Sequence, residues 1–237
     1  MSPARRRGAV EGMPVAGRYD AVLFDLLTAL LDSWSLWNAV AGDDATGSRW
    51  RGEYLRRTYA VGDYRPYEDL VSEAARAQRL DPVLARQLAD RWDELAPWPE
   101  APGVVAELTS TSRLRVGVVT NCSEDLGRRA AARLGVPLDV VVTAQAAGAY
   151  KPRPEPYRRA LDELGLPPER VLFVAGSPYD IPGAGGVGMP VWWHNRARMT
   201  RGDLPAPLAE HHTLTPLLGD LSTPSAERPD GKETIPR

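Results

Sequence analysis

Five short apolar runs constrain this chain more than any other feature: Ala21–Phe24, Val116–Thr120, Val140–Thr143, Val171–Ala175 and Pro190–Trp193. Each is too short for a helix, the set is rich in Val, and Gly, Pro, Asp or Asn bound the runs. Parallel strands covered on both faces have this pattern, whereas a strand with one wet face alternates polar and apolar residues. Helical periodicities lie between the runs at Gly103–Thr111, Glu124–Leu134 and Glu155–Leu164. Ser123 is a good N-cap for the second, and Gly135 and Gly165 end the second and third. Alternating β and α segments predict an α/β protein with a doubly wound parallel sheet.

One interval breaks the alternation. Residues 33–98 read as helix throughout, for example over Tyr67–Arg79 and Pro82–Leu95, and hold five of the seven tryptophans. An insertion directly after the first strand lies over the carboxyl ends of the strands, where open α/β sheets bind ligands; it reads as a helical cap. The core then comprises residues 18–32 and 99–212, with loose tails expected at 1–17 and 213–237.

Several function classes fall away on composition. The 29 Lys+Arg nearly balance 31 Asp+Glu, which leaves no field for a nucleic-acid backbone or an anionic membrane. The longest apolar stretch, Ala21–Leu31, is interrupted by Asp25 and is too short to span a bilayer. Arg5, Arg6 and Arg7 are followed by Glu11 and Pro14 rather than by the apolar run of a signal peptide, so a cytoplasmic protein is expected. Cys122 is the only cysteine, which leaves no disulfide and no thiolate metal cluster. Only Lys151 and Lys232 are lysines; a chain that uses Arg almost everywhere else singles out Lys151.

The strand ends carry the chemistry. Asp25 closes the first run, placed for nucleophilic attack or, equally, for capping a turn. Thr120 and Asn121 end the second, Lys151 follows the third with Tyr157 two helical turns on, and Ser177 and Asp180 follow the fourth. In a parallel sheet these tips open on one edge, so Asp, Thr, Lys and Asp converge in one crevice. Each also has a structural reading: Lys151 and Asp180 as an ion pair, Thr120 as a helix cap, Arg51 as a solvated helix charge, His194 as a core residue.

In order and spacing, these residues resemble the haloacid dehalogenase superfamily over roughly residues 19–200. Asp25 with Leu30-Leu31-Asp32-Ser33 matches its first motif, although Thr28-Ala29 stands for Gly-Thr. Thr120-Asn121, Lys151-Pro152, and Asp180 with Gly183-Ala184 behind it match the next three. The phosphatase majority of that superfamily holds Mg²⁺ with an acid two residues after the nucleophile and another in the fourth motif. Here those positions are Leu27 and Gly176, a poor donor set for a cation that needs hard oxygen ligands. No cofactor is expected.

The branch without the metal is the 2-haloacid dehalogenases. Val174–Asp180, Trp192–Arg196, Tyr157 six residues after the lysine, and Trp50-Arg51 with Tyr54 are similar to theirs. The resemblance implies that Asp25 attacks the α-carbon of a short 2-halo acid to form an ester. Lys151 would pair with Asp25, while Asp180, with Ser177 and Tyr157, would direct water at the ester. Thr120, Asn121 and Leu27 would bind the substrate, and Arg51 would meet the halide or carboxylate. A homodimer is expected from the resemblance alone. Ala29, Ala175 and Ser177 depart from the usual residues. Two other readings stand beside this one: a hydrolase of another electrophile or a phosphate ester, and an inert binding protein of the same fold.

Overall fold

Strand β1 (Ala21–Asp25) is buried along its whole length, as a strand covered on both faces must be. In the computed structural model, which describes residues 18–111 and 114–222, it lies inside a six-stranded sheet. The other strands are β2 (Arg115–Thr120), β3 (Val140–Thr143), β4 (Val171–Ala175), β5 (Val191–His194) and β6 (Ala209–His211). Their order is β3-β2-β1-β4-β5-β6 and every pairing is parallel. The doubly wound α/β sheet expected from the sequence is therefore the observed fold.

The period of two along each strand divides the core in two. Val22, Phe24, Val116, Val118, Leu172 and Val174 face one side, where the helices between β1 and β3 pack. Ala21, Leu23, Val119, Val142, Phe173 and Trp193 face the other, against Tyr157, Ala160, Leu161 and Ile181. The chain runs outward from β1 to β3 and then returns to β4 on the opposite side of β1. The order reverses there, and such a reversal opens a crevice at the carboxyl ends of the strands.

After β1 come α1 (Ser33–Ala41), α2 (Asp44–Ala60), α3 (Tyr67–Ala77) and α4 (Val83–Asp90), then a 3₁₀ turn at Trp92–Glu94. The expected continuous helix is thus broken at 61–66, ahead of Pro66, and at 78–82. Asp32 and Asp43 cap α1 and α2 by accepting the amides of Ser35 and Thr46, and Gly42 turns between them at φ 92°. Trp37, Trp50, Tyr54, Tyr67 and Trp92 form a continuous run of ring contacts, with centroids 4.5 to 5.7 Å apart.

The remaining helices are α5 (Ala101–Thr111), α6 (Glu124–Ala132), α7 (Ala144–Ala147), α8 (Pro154–Leu164), α9 (Asp180–Gly186) and α10 (Pro216–Ser222). None of the described helices is long and apolar enough to cross a membrane. The C-terminal boundary needs correction. The tail expected from 213 onward begins instead with a folded segment, in which Leu214 and Leu217 are fully buried and Asp220 accepts the Trp192 indole N–H at 2.8 Å. A signal was present: Leu214, Leu217, Leu218 and Leu221 recur at helical spacing, but over about two turns only, in a stretch otherwise polar and Pro-rich. The expected tail at 1–17, and residues 223–237 of the one expected at 213–237, lie outside the described residues.

Candidate active site

Asp25 leaves β1 at the topological reversal with its carboxylate bound on both oxygens. Oδ2 accepts the backbone N–H groups of Thr28 at 3.0 Å and Ala29 at 3.2 Å. The turn 26–31 folds back on itself to present those amides, with Leu30 and Leu31 both donating to the Leu26 carbonyl. Oδ1 accepts the Lys151 ammonium at 2.7 Å.

Lys151 stands between two acids. Its Nζ is 3.1 Å from Asp180 Oδ1, and the Tyr157 hydroxyl donates to that same oxygen at 2.8 Å. Burial works to lower the Lys151 pKa, but Asp180 and Asp25 outweigh it, and the net shift is upward. The ammonium is therefore charged across the neutral range. Burial raises the Asp180 pKa and Asp25 adds to it against the pull of Lys151, leaving this carboxylate more basic than usual. The Tyr157 hydroxyl, buried beside Asp180, is pushed well above its ordinary value and stays a proton donor to the carboxylate.

Arg51 reaches this cluster from α2. It is 2% exposed, and its hydrogen bonds go to hydroxyls, at 2.5 Å to Ser33 Oγ and 2.9 Å to Thr28 Oγ1. Its guanidinium also lies 4.0 Å from the centre of the Trp34 ring. Burial lowers the Arg51 pKa, yet a guanidinium stays protonated in proteins. The result is a buried positive charge, satisfied in geometry by neutral oxygens, that borders a pocket shared with Asp25, Leu27, Lys151 and Asp180. The pocket is small, about 30 Å³, and Leu55 and Tyr59 of α2 close it opposite the strand ends.

Most residues anticipated from the sequence meet here, Asn121 and Ser177 among the pocket lining, but the side chains of these two and of Thr120 have other partners. The Asn121 side chain is spent on the Lys151 backbone: Oδ1 accepts its N–H at 2.7 Å and Nδ2 donates to its carbonyl at 3.1 Å. Thr120, expected at the substrate, is fully buried with its hydroxyl 3.4 Å from Cys122 Sγ. Ser177 Oγ contacts Tyr59 Oη at 3.0 Å, while only its backbone carbonyl meets Asp180, accepting that residue's N–H at 3.1 Å. Cys122 is inert as a nucleophile, because burial pushes its thiol up to about 12.

Thr28, Ser33 and Tyr59 border or hold the site without having been anticipated from the sequence. Thr28 had a signal, since it sits three residues after the acid. Tyr59 had one as well, since Arg51, Leu55 and Tyr59 recur every four residues and so share one face of α2.

The sequence profile of haloacid dehalogenase-like hydrolases matches residues 19–188. An (S)-2-haloacid dehalogenase of Pseudomonas putida is 26% identical over 193 residues, covering 75% of this chain and 86% of that one. A phosphoglycolate phosphatase of Rhodospirillum rubrum is 31% identical over 188 residues, covering 72% and 77%. The crystal structure of an L-2-haloacid dehalogenase superposes with a TM-score of 0.78 at 25% identity, over 86% of this chain and 99% of that one. With these motifs in this fold, the chain belongs to the haloacid dehalogenase-like hydrolases.

Proposed function

We propose that this hydrolase is a metal-independent dehalogenase of short 2-halo carboxylic acids, with Asp25 as nucleophile. The observation that carries this reading is the Lys151 ammonium held between Asp25 and Asp180. A divalent cation at that place needs several hard oxygen ligands. The Leu27 side chain offers none and its carbonyl already accepts from the Ser33 hydroxyl, while a Cβ added at Gly176 would lie 2.4 Å from Asp25 Oδ2, so no acid fits there without moving the nucleophile. These residues do not fit a magnesium site. Asp25 thus works beside fixed cations, which suits a substrate carrying one carboxylate.

In the first step an oxygen of Asp25 attacks the α-carbon, the carbon–halogen bond breaks, and the halide leaves with its electron pair toward Arg51. Arg51, itself buried, receives the substrate carboxylate and the departing anion where such charges count most. In the second step Asp180 takes a proton from water, which attacks the ester carbonyl of Asp25. The acyl C–O bond breaks, Asp180 hands its proton to the departing alkoxide oxygen and a 2-hydroxy acid leaves; Asp25, left as the carboxylic acid, loses its proton to solvent and is restored. Tyr157 fixes the Asp180 oxygen, and Asn121 fixes Lys151 through its backbone. The helices α1–α4 serve as the cap, whose Leu55 and Tyr59 limit the α-substituent.

The phosphoglycolate phosphatase relative favours a second reading, phosphate-ester hydrolysis. One assay separates the two: halide release from 2-chloro and 2-bromo acids, and phosphate release from phosphoglycolate, each with EDTA and with added Mg²⁺. Halide release that survives EDTA and vanishes in Asp25→Asn is the expected result. Magnesium-dependent phosphate release without halide release overturns the proposal.

A further inference from the structure

The turn that presents two amides to Asp25 is itself gripped from behind. The Trp98 indole Nε1–H donates to the Thr28 carbonyl at 2.9 Å, and His194 Nδ1 lies 2.7 Å from the Ala29 carbonyl. A carbonyl oxygen only accepts, so Nδ1 of His194 carries the proton. The Trp98 backbone N–H adds a third bond, to the Leu30 carbonyl at 2.9 Å. Three consecutive carbonyls of the turn are thus pulled away from the carboxylate. The two groups come from elements far apart in sequence, the segment before α5 and the end of β5.

The bond from Trp98 is placed to act on the nucleophile directly. Thr28 C=O and Ala29 N–H belong to one peptide group, and that N–H donates to Asp25 Oδ2. Donation into the carbonyl polarises the same planar group and strengthens its N–H as a donor. His194 fixes the next peptide and so sets the direction of the Ala29 N–H. On the opposite side, Gly176 packs so tightly that an added Cβ would lie 2.5 Å from Ala29 N and 2.4 Å from Asp25 Oδ2. The turn is held between a glycine in front and two ring N–H donors behind. At position 29 a methyl offers no hydroxyl of its own to steady it.

We propose that Trp98 and His194 are positioning residues that act together, through the Thr28 and Ala29 amides, to orient Asp25 for attack. This rests on the nucleophilic role proposed for Asp25, so its test includes a readout needing no substrate. In ¹⁵N-labelled full-length protein, Trp98→Phe keeps the ring and removes the donor, His194→Leu removes the other donor, and His194→Asn replaces it with an amide N–H at the same reach. The expected result is an upfield shift of the Ala29 amide proton in Trp98→Phe and His194→Leu, largely restored in His194→Asn. Halide release should lose about tenfold to a hundredfold in kcat with little change in KM, as for a misoriented reacting group.

Unmoved Thr28 and Ala29 amides in both donor-removing variants overturn the inference. So does a His194→Asn variant as impaired as His194→Leu while Trp98→Phe is unimpaired. Should the wild-type protein release no halide, the dehalogenase reading fails on its own, and the amide shifts still decide the clamp. Trp98→Phe keeps an aromatic ring at a partly exposed position, so it carries the test if His194→Leu does not fold.

Discussion

At the scale of single residues, two carboxylates share one lysine, and the proposed mechanism gives them different work. Asp25 is bound on both oxygens by donors, whereas Asp180 is the more desolvated and has its pKa raised, chiefly by burial. A base of raised pKa is the one suited to take a proton from water. Since the reactive form is deprotonated, activity falls as pH drops through that pKa, so the acid limb of kcat lies above the ordinary carboxylate range. Asp180→Asn should retain the first step and block the second. Intact-mass spectrometry after incubation with a 2-halo acid should then show protein heavier by the substrate's carboxyalkyl group, the acid less its halide, which Asp25→Asn does not show. An Asp180→Asn enzyme with full turnover and no adduct would remove Asp180 from the mechanism.

At the scale of elements, α2 matters most, because it brings Arg51, Leu55 and Tyr59 to the pocket. Its distance from α1 is set by Gly47, where an added Cβ would meet the Asn38 backbone at 2.4 Å. Gly47→Ala should therefore push the two helices apart, costing about 1–3 kcal/mol as an overpacking change and lowering activity through Arg51, one turn on. Gly52, on the exposed face of the same helix, has nothing within 4 Å of an added Cβ. Gly52→Ala should stabilise by about 0.5–1 kcal/mol with activity unchanged, since alanine loses less backbone entropy in a helix. Urea unfolding midpoints of the two variants, read beside their turnover, check both signs.

At the scale of the whole molecule, the far end of the sheet is tied to the C-terminal segment. Leu214 and Leu217 are buried, and Asp220 accepts from Trp192 of β5. Deleting everything from residue 213 should cost about 3–6 kcal/mol from the two leucines alone, at roughly 1.5–3 kcal/mol each, and lower Tm sharply. A truncated protein with an unchanged melting curve would make this segment dispensable. His194 adds a pH dependence at the same end of the sheet. Burial lowers its pKa below 6.5, so the unfolded chain binds a proton that the folded one refuses. Stability should therefore decline as pH falls below about 6.5, by the linkage of proton binding to unfolding. His194→Asn should flatten that decline in thermal melts across pH 5 to 7.

Much of this was legible in the chain. Doubly buried strands declare themselves as unbroken apolar runs, and a parallel sheet sends every strand end to one edge. Asp25, Lys151 and Asp180 could thus be gathered from sequence, although Asp25 and Lys151 lie 126 positions apart. Strand β6, three residues long and only partly buried, left no such run to read. What each side chain does at the edge was decided by packing. Asn121 is taken by the Lys151 backbone, Thr120 is sealed beside Cys122, and Trp98 and His194 turn their N–H groups to the turn that follows Asp25. The physical reason is one of reach: strand direction is a property of the backbone that periodicity encodes, whereas a hydrogen bond depends on tenths of an ångström between groups brought together only by the finished core.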